Sequence, residues 1–120
     1  MPLRGGVAAP PSQLAGQHVG LLCGIARPAS LRRTVEALGG VDILVNNATF
    51  ARGDDRVPVV DLDDAMWRRI VEINLTGTML CCKYVARELI RQGRGGSIVS
   101  ISSGAALKAP SSFSAYAASK

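Results

Sequence analysis

Histidine occurs once, at position 18, and the three cysteines, Cys23, Cys81 and Cys82, include no Cys-x-x-Cys pair. That leaves no ligand spacing for zinc, and no metal site is expected. An odd cysteine count with an adjacent pair argues against a disulfide framework and favours a reducing compartment, here taken as the cytoplasm. No apolar run approaches the roughly 20 residues of a membrane span, so no membrane partner is expected. Pro10-Pro11 followed by Ser12-Gln13 interrupts any apolar core of a signal peptide. Aromatic side chains are 4% of the residues against an apolar share of 48%, so the core must be aliphatic. Charge is never massed: 14 basic and 9 acidic residues give a net +5, with Arg and Lys scattered along the chain. Such scatter reads as a solvated surface and sets nucleic-acid binding aside. An Arg52-Gly53-Asp54 triplet is too short, in a chain without an export signal, to carry an adhesion role.

At 120 residues the chain is one domain at most, large enough to bury a core if its elements complete one another. Residues 1–17, with three prolines and three glycines, read as a loose tail, and residues 18–120 as the domain. His18 to Ile25 holds a short apolar run that suits a strand, with His18 a surface residue at its entry. A helix should start at Pro28-Ala29-Ser30 with Ser30 as N-cap, carry Leu31, Val35 and Leu38 on one face, and end at Gly39-Gly40. Asp42 to Asn46 is an apolar strand of the kind covered on both faces in a parallel sheet. Asn46-Asn47 follows at its carboxyl end, where turn formation is the local reading.

Leu62 to Gln92 carries two helical stripes: Leu62, Met66, Ile70 and Ile73, then Leu75, Met79, Cys82, Ala86 and Leu89. One helix of that length is long for this domain, and Asn74-Leu75-Thr76-Gly77 is the natural break. Cys81 and Cys82 read as packing residues. Ser97 to Ser102 is a second buried strand, reached by a turn at Arg91 to Gly96. Small residues from Gly104 to Ser112 form a loop before a last helix that opens at Ser114.

The pattern with most chemistry closes the chain. Tyr116 and Lys120 are four apart and share one helix face. Ser103, thirteen residues before Tyr116, ends the apolar strand. A nearby ammonium favours the phenolate form and suits a tyrosine to general acid–base work on a carbonyl or alcohol. A serine hydroxyl at the same oxygen stabilises charge developing there. None of the three groups accepts a hydride, so redox chemistry would require a cofactor.

With Asp42-Ile43-Leu44-Val45-Asn46-Asn47-Ala48 and Asn74-Leu75-Thr76-Gly77 in order before Ser103 and Tyr116-x-x-x-Lys120, the sequence resembles the short-chain dehydrogenases/reductases from about Cys23 to Lys120. The resemblance implies an α/β fold with a partial Rossmann-like, doubly wound parallel sheet. It implies hydride transfer between NAD or NADP and a secondary alcohol or ketone, in a homo-oligomer (dimer or tetramer) when full length. It assigns catalysis to Tyr116, Lys120, Ser103 and Asn74, the last through a water that supports the lysine. It places Asn47, Ala48, Tyr116 and Lys120 against the nicotinamide ribose. Epimerases and dehydratases share Tyr-x-x-x-Lys.

The chain departs from the family pattern in several places. Gly24-Ile25 stands where the family's strand ends in Asp-Val, and Thr49 replaces the usual Gly. No Gly-x-x-x-Gly-x-Gly joins a strand to a helix, so the pyrophosphate-holding first βαβ unit is lacking, as is the substrate half beyond Lys120. In the family's strand order, 3-2-1-4-5-6-7, the strands supplied would be the third, fourth and fifth, with a gap between the third and fourth. A truncated chain is the expectation, and a non-catalytic subunit-interaction piece, docking through the stripes of residues 62–92, is the competing reading.

Overall fold

A computed structural model describes residues 28–51, 53–108 and 111–120. The expected tail and the strand expected from His18 to Ile25 lie outside the described residues. Among the described residues seven regular elements follow one another: α1 (Pro28–Ala37), β1 (Ile43–Asn46), α2 (Asp64–Val71), a π turn (Glu72–Thr76), α3 (Gly77–Gln92), β2 (Ser97–Ser100) and α4 (Ser114–Ala118). Single 3-10 turns occur at Val59–Asp61 and Gly104–Ala106.

The two strands pair in parallel, Ile43 opposite Ser97 through Asn46 opposite Ser100. A parallel pair needs a long crossover, and α2, the π turn and α3 supply it. Helix α2 starts where Asp63 accepts the Met66 N–H at 2.9 Å, a side-chain cap on an otherwise unpaired donor. Helix α3 stops at Gly93, whose φ of 68° is left-handed and ends the chain's helical path.

Leu44 and Asn46 point into the protein, and Leu31, Val35, Cys81 and Val85 close around Leu44. Burying such an aliphatic side chain is worth about 1.5–3 kcal/mol each, so this cluster is what fastens α1 and α3 to the sheet. The opposite face was expected to be covered and is not: Ile43 is 66% and Val45 50% exposed. All four residues of β2, expected buried, are exposed. Both helices lie on the Leu44 side, and a run of three apolar residues cannot by itself distinguish burial on one face from burial on two.

Ser30 is not the N-cap of α1. Helical geometry begins at Pro28, which suits the first turn because its missing N–H has no partner to lose there. Leu38 falls beyond the helix and is 48% exposed. The second apolar stripe is displaced as well, because Leu75 and Met79 face outward and Gly77, Cys81 and Val85 are buried. The buried line runs Ile70, Asn74, Gly77, Cys81, Val85, so a polar residue and a glycine occupy positions that an apolar count skips. No helix among the described residues is long and apolar enough to cross a membrane.

Candidate active site

The parallel register brings both carboxyl ends to one edge. Beyond the last paired residues, Ile101 N–H donates to Asn46 C=O at 2.9 Å and keeps the two strand exits together. Below them the Asn46 amide donates to Ser100 Oγ at 3.1 Å and to Cys82 Sγ at 3.2 Å. Asn46 is therefore bound into the sheet by its side chain, and Asn47, Ala48 and Thr49 emerge exposed at the edge.

Helix α4 lies across the exit of β2. Lys120 Nζ donates to Ile101 C=O at 3.2 Å, and Ser102 Oγ donates to Lys120 C=O at 2.8 Å. The expected lysine thus reaches the strand tip that carries Ser103. Ser103 caps the small turn at Gly104–Ala106, its Oγ accepting the Ala105 N–H at 3.2 Å. Tyr116, half-buried one turn before Lys120, stacks its ring on Phe113 at 4.5 Å with planes 19° apart. The Arg56 guanidinium sits 5.1 Å from the centre of the Phe113 ring. Among the described residues the Tyr116 hydroxyl makes no hydrogen bond.

Asn74 lies in the π turn and is 3% exposed. Its amide oxygen accepts from Phe50 N–H at 2.7 Å, and its nitrogen donates to Phe50 C=O at 3.3 Å and to Ser119 Oγ at 2.9 Å. Its backbone carbonyl accepts the Thr78 hydroxyl at 2.7 Å. The side chain thereby joins the exit of β1 to the end of α4, and the guanidinium of Arg69 lies 5.0 Å from the Phe50 ring centre beside it. Phe113 and Ser119 escaped the reading of motifs. Ser119 had a signal, since it stands four residues after Ala115 and would share that residue's face of the helix.

Asn47 and Ala48 at one strand exit, and Ser103 with Lys120 at the next, form an exposed edge at the carboxyl ends of parallel strands, where open α/β sheets take ligands. No group of three or more metal-capable side chains occurs among the described residues.

Comparison with known proteins identifies the family and the fold. The family model described as short chain dehydrogenase matches residues 12–120. A short chain dehydrogenase/reductase of Aspergillus oryzae is 35% identical over 113 residues, covering 91% of this chain and 42% of that protein. A D-threitol dehydrogenase of Mycolicibacterium smegmatis is 38% identical over 109 residues, covering 88% of this chain and 40% of its own length. The solved structure of an NAD+-bound xylitol dehydrogenase superposes with a TM-score of 0.72 at 31% identity, covering 83% of this chain and 39% of that one. An acetoin dehydrogenase of Salmonella typhimurium gives 0.70 at 33% identity, with coverages of 77% and 37%. The chain thus spans about two fifths of the length of these relatives. With its parallel strands, its Asn74 turn and its Tyr116-x-x-x-Lys120 helix, the chain belongs to the short-chain dehydrogenase/reductase family.

Proposed function

We propose that the protein carrying this chain transfers a hydride between NAD or NADP and a secondary alcohol or its ketone. The observation that carries the reading is the reach of Lys120 Nζ to Ile101 C=O at 3.2 Å, which sets an ammonium between the tyrosine helix and the serine-bearing strand exit. Relatives named for threitol, xylitol and acetoin support the substrate class, since each of those compounds bears a secondary alcohol.

The nicotinamide ring supplies the hydride exchange when the cofactor is bound. Asn47 and Ala48 at the edge, with Tyr116 and Lys120, are the residues that would hold its ribose. Ser103 Oγ already accepts from Ala105, so its proton remains available to the substrate oxygen. Tyr116 takes the hydroxyl proton during oxidation and returns it during reduction, and Lys120 stabilises the negative charge on its oxygen. Asn74 holds the elements that carry these groups. The free thiols of Cys81 and Cys82 support work in the cytoplasm. The half-exposed Leu75 and Met79 support association into a homo-oligomer.

The test is Tyr116→Phe in the protein as its gene encodes it. Turnover of a secondary alcohol should fall by about 10²- to 10⁴-fold, the usual worth of a positioned acid or base, while NADH binding persists. Undiminished turnover would refute the assignment.

A further inference from the structure

Helix α4 has five residues. Isolated helices shorter than about 12–15 residues are marginal, so neighbours must fix the rotation of this one about its axis. Its inward side holds Ala115, 0% exposed, and is continued by the C-cap Ser119, 5% exposed. Tyr116 follows Ala115, about 100° round the helix, and Lys120 follows Ser119 just past its end. Whatever holds Ala115 and Ser119 therefore sets the direction of the phenol and the ammonium.

Ala115 offers one methyl group, which restrains rotation weakly. Ser119 offers two directed bonds: its Oγ accepts from Asn74 Nδ2 at 2.9 Å and donates to Tyr116 C=O at 2.8 Å. A serine bonding a carbonyl three residues back is a common local motif. The bond from Asn74 is not local, since it crosses 45 residues of chain inside the protein. Nor can Asn74 swing away, because its oxygen and its other amide hydrogen are committed to Phe50. An unbroken path of hydrogen bonds runs from the backbone at the β1 exit, through the π turn, to the carbonyl of Tyr116.

We propose that Ser119 is a positioning residue whose hydroxyl sets the rotational register of α4 and so aims Tyr116 and Lys120 at the strand exits. The proposal rests on the roles given to Tyr116 and Lys120 under the proposed function.

The test compares Ser119→Ala with Ser119→Thr, which keeps the hydroxyl, in the protein as its gene encodes it. A misplacement of about 1 Å can cost about 10²-fold in rate, so Ser119→Ala should lower kcat by about 10- to 100-fold. KM for the alcohol should hold near wild type, NADH should bind a few-fold more weakly because Tyr116 and Lys120 would also hold its ribose, and Ser119→Thr should retain most of kcat and of NADH binding. Amide hydrogen exchange supplies a readout apart from activity: the backbone amides at positions 117 and 119 should exchange faster in Ser119→Ala, with α3 unchanged. Wild-type kcat and exchange in Ser119→Ala, or an equal loss in Ser119→Thr, would overturn the proposal. If the unmodified protein turns over no alcohol, the dehydrogenase reading fails, and the exchange comparison alone decides whether Ser119 holds the helix. Should Ser119→Ala fail to fold, Ser119→Cys keeps the volume, weakens both hydrogen bonds and is read by the same two measurements.

Discussion

Asn74 grips Phe50 at both backbone groups, accepting its N–H at 2.7 Å and donating to its C=O at 3.3 Å. An amide side chain opposite a single residue in this way imitates a strand partner, and it satisfies two main-chain groups just where β1 has left the sheet. Removing it takes a hydrogen bond from each main-chain group of Phe50 and one from the Ser119 hydroxyl, which keeps its bond to Tyr116 C=O. An unmade bond at a buried group costs about 1–3 kcal/mol, so Asn74→Ala should destabilise the protein by about 3 kcal/mol in urea titration. Asn74→Asp should be little better, because a carboxylate accepts from Phe50 N–H but donates neither to Phe50 C=O nor to Ser119. A loss below about 1 kcal/mol for both variants would show that water replaces the grip.

Gln92, near the other end of the same crossover, repeats the device at the entry to β1. It accepts from Val41 N–H at 2.9 Å and donates to Val41 C=O at 2.6 Å. Gln92 is half-buried where Asn74 is buried, and its side chain makes two hydrogen bonds where that of Asn74 makes three. Gln92→Ala should therefore cost less than Asn74→Ala, about 1–2 kcal/mol, and should leave amide exchange in α4 unchanged. Equal costs at the two sites would mean that burial does not separate them.

Stability should fall at both ends of the pH scale. Burial, reinforced by the neighbouring Cys82, pushes the Cys81 thiol above its ordinary value. The unfolded chain then loses that proton first, so the folded state binds more protons at alkaline pH and stability declines as pH rises above about 8.5. Glu88 is shifted the other way, chiefly by its hydrogen bonds from Arg91, and its carboxyl lies below the ordinary range. Its contribution is present above the unfolded value of about 4.3 and is lost as pH falls below it. Glu88 and Arg91 pair at an exposed site, so this acid effect should be small and reduced by salt. Urea midpoints of wild type and Cys81→Ala across pH 7 to 10 check the alkaline limb. An equal decline in both proteins would remove Cys81 as its cause.

The parallel pair β1 and β2 and the long crossover were legible because short apolar runs mark strands and helical periodicity marks the helices between them, although the burial expected of both strands did not follow. Ile70, in the first stripe and 0% exposed, shows how far apolar identity carries, and Val85, also 0% exposed but outside the second stripe, shows where it stops. The register of α3 was not legible, because Asn74 is buried through three hydrogen bonds and Gly77 through its lack of a side chain, and neither adds to an apolar stripe. The one-sided burial of β1 was hidden for a related reason. Ile43 and Leu44 are alike as residues, and only the placement of α1 and α3 makes one exposed and the other core. At the site, the i, i+4 spacing pointed to Tyr116 and Lys120. The adjoining pair, Ala115 and Ser119, has the same spacing, but a small residue and a hydroxyl carry no chemistry that a motif would flag.

Gly96 joins the turn after α3 to β2 with a φ of 158°, and a Cβ there would stand 2.5 Å from Asp42 C=O and from a methyl of Leu89. The carbonyl belongs to the backbone entering β1 and already accepts Ser97 N–H at 2.9 Å, so it has no room to retreat without loosening the first rung of the ladder. Leu89 packs at the margin of the core. Gly96→Ala must therefore either spread the strands or push Leu89 aside, and overpacking of this kind costs about 1–3 kcal/mol. Gly95, with φ of 81° and nothing within 4 Å of a built Cβ, is the control. Gly95→Ala carries the left-handed strain alone, about 1 kcal/mol. Thermal unfolding of the two variants should therefore give the lower midpoint for Gly96→Ala, and the opposite order would mean that the two strands do not approach as closely as Gly96 requires.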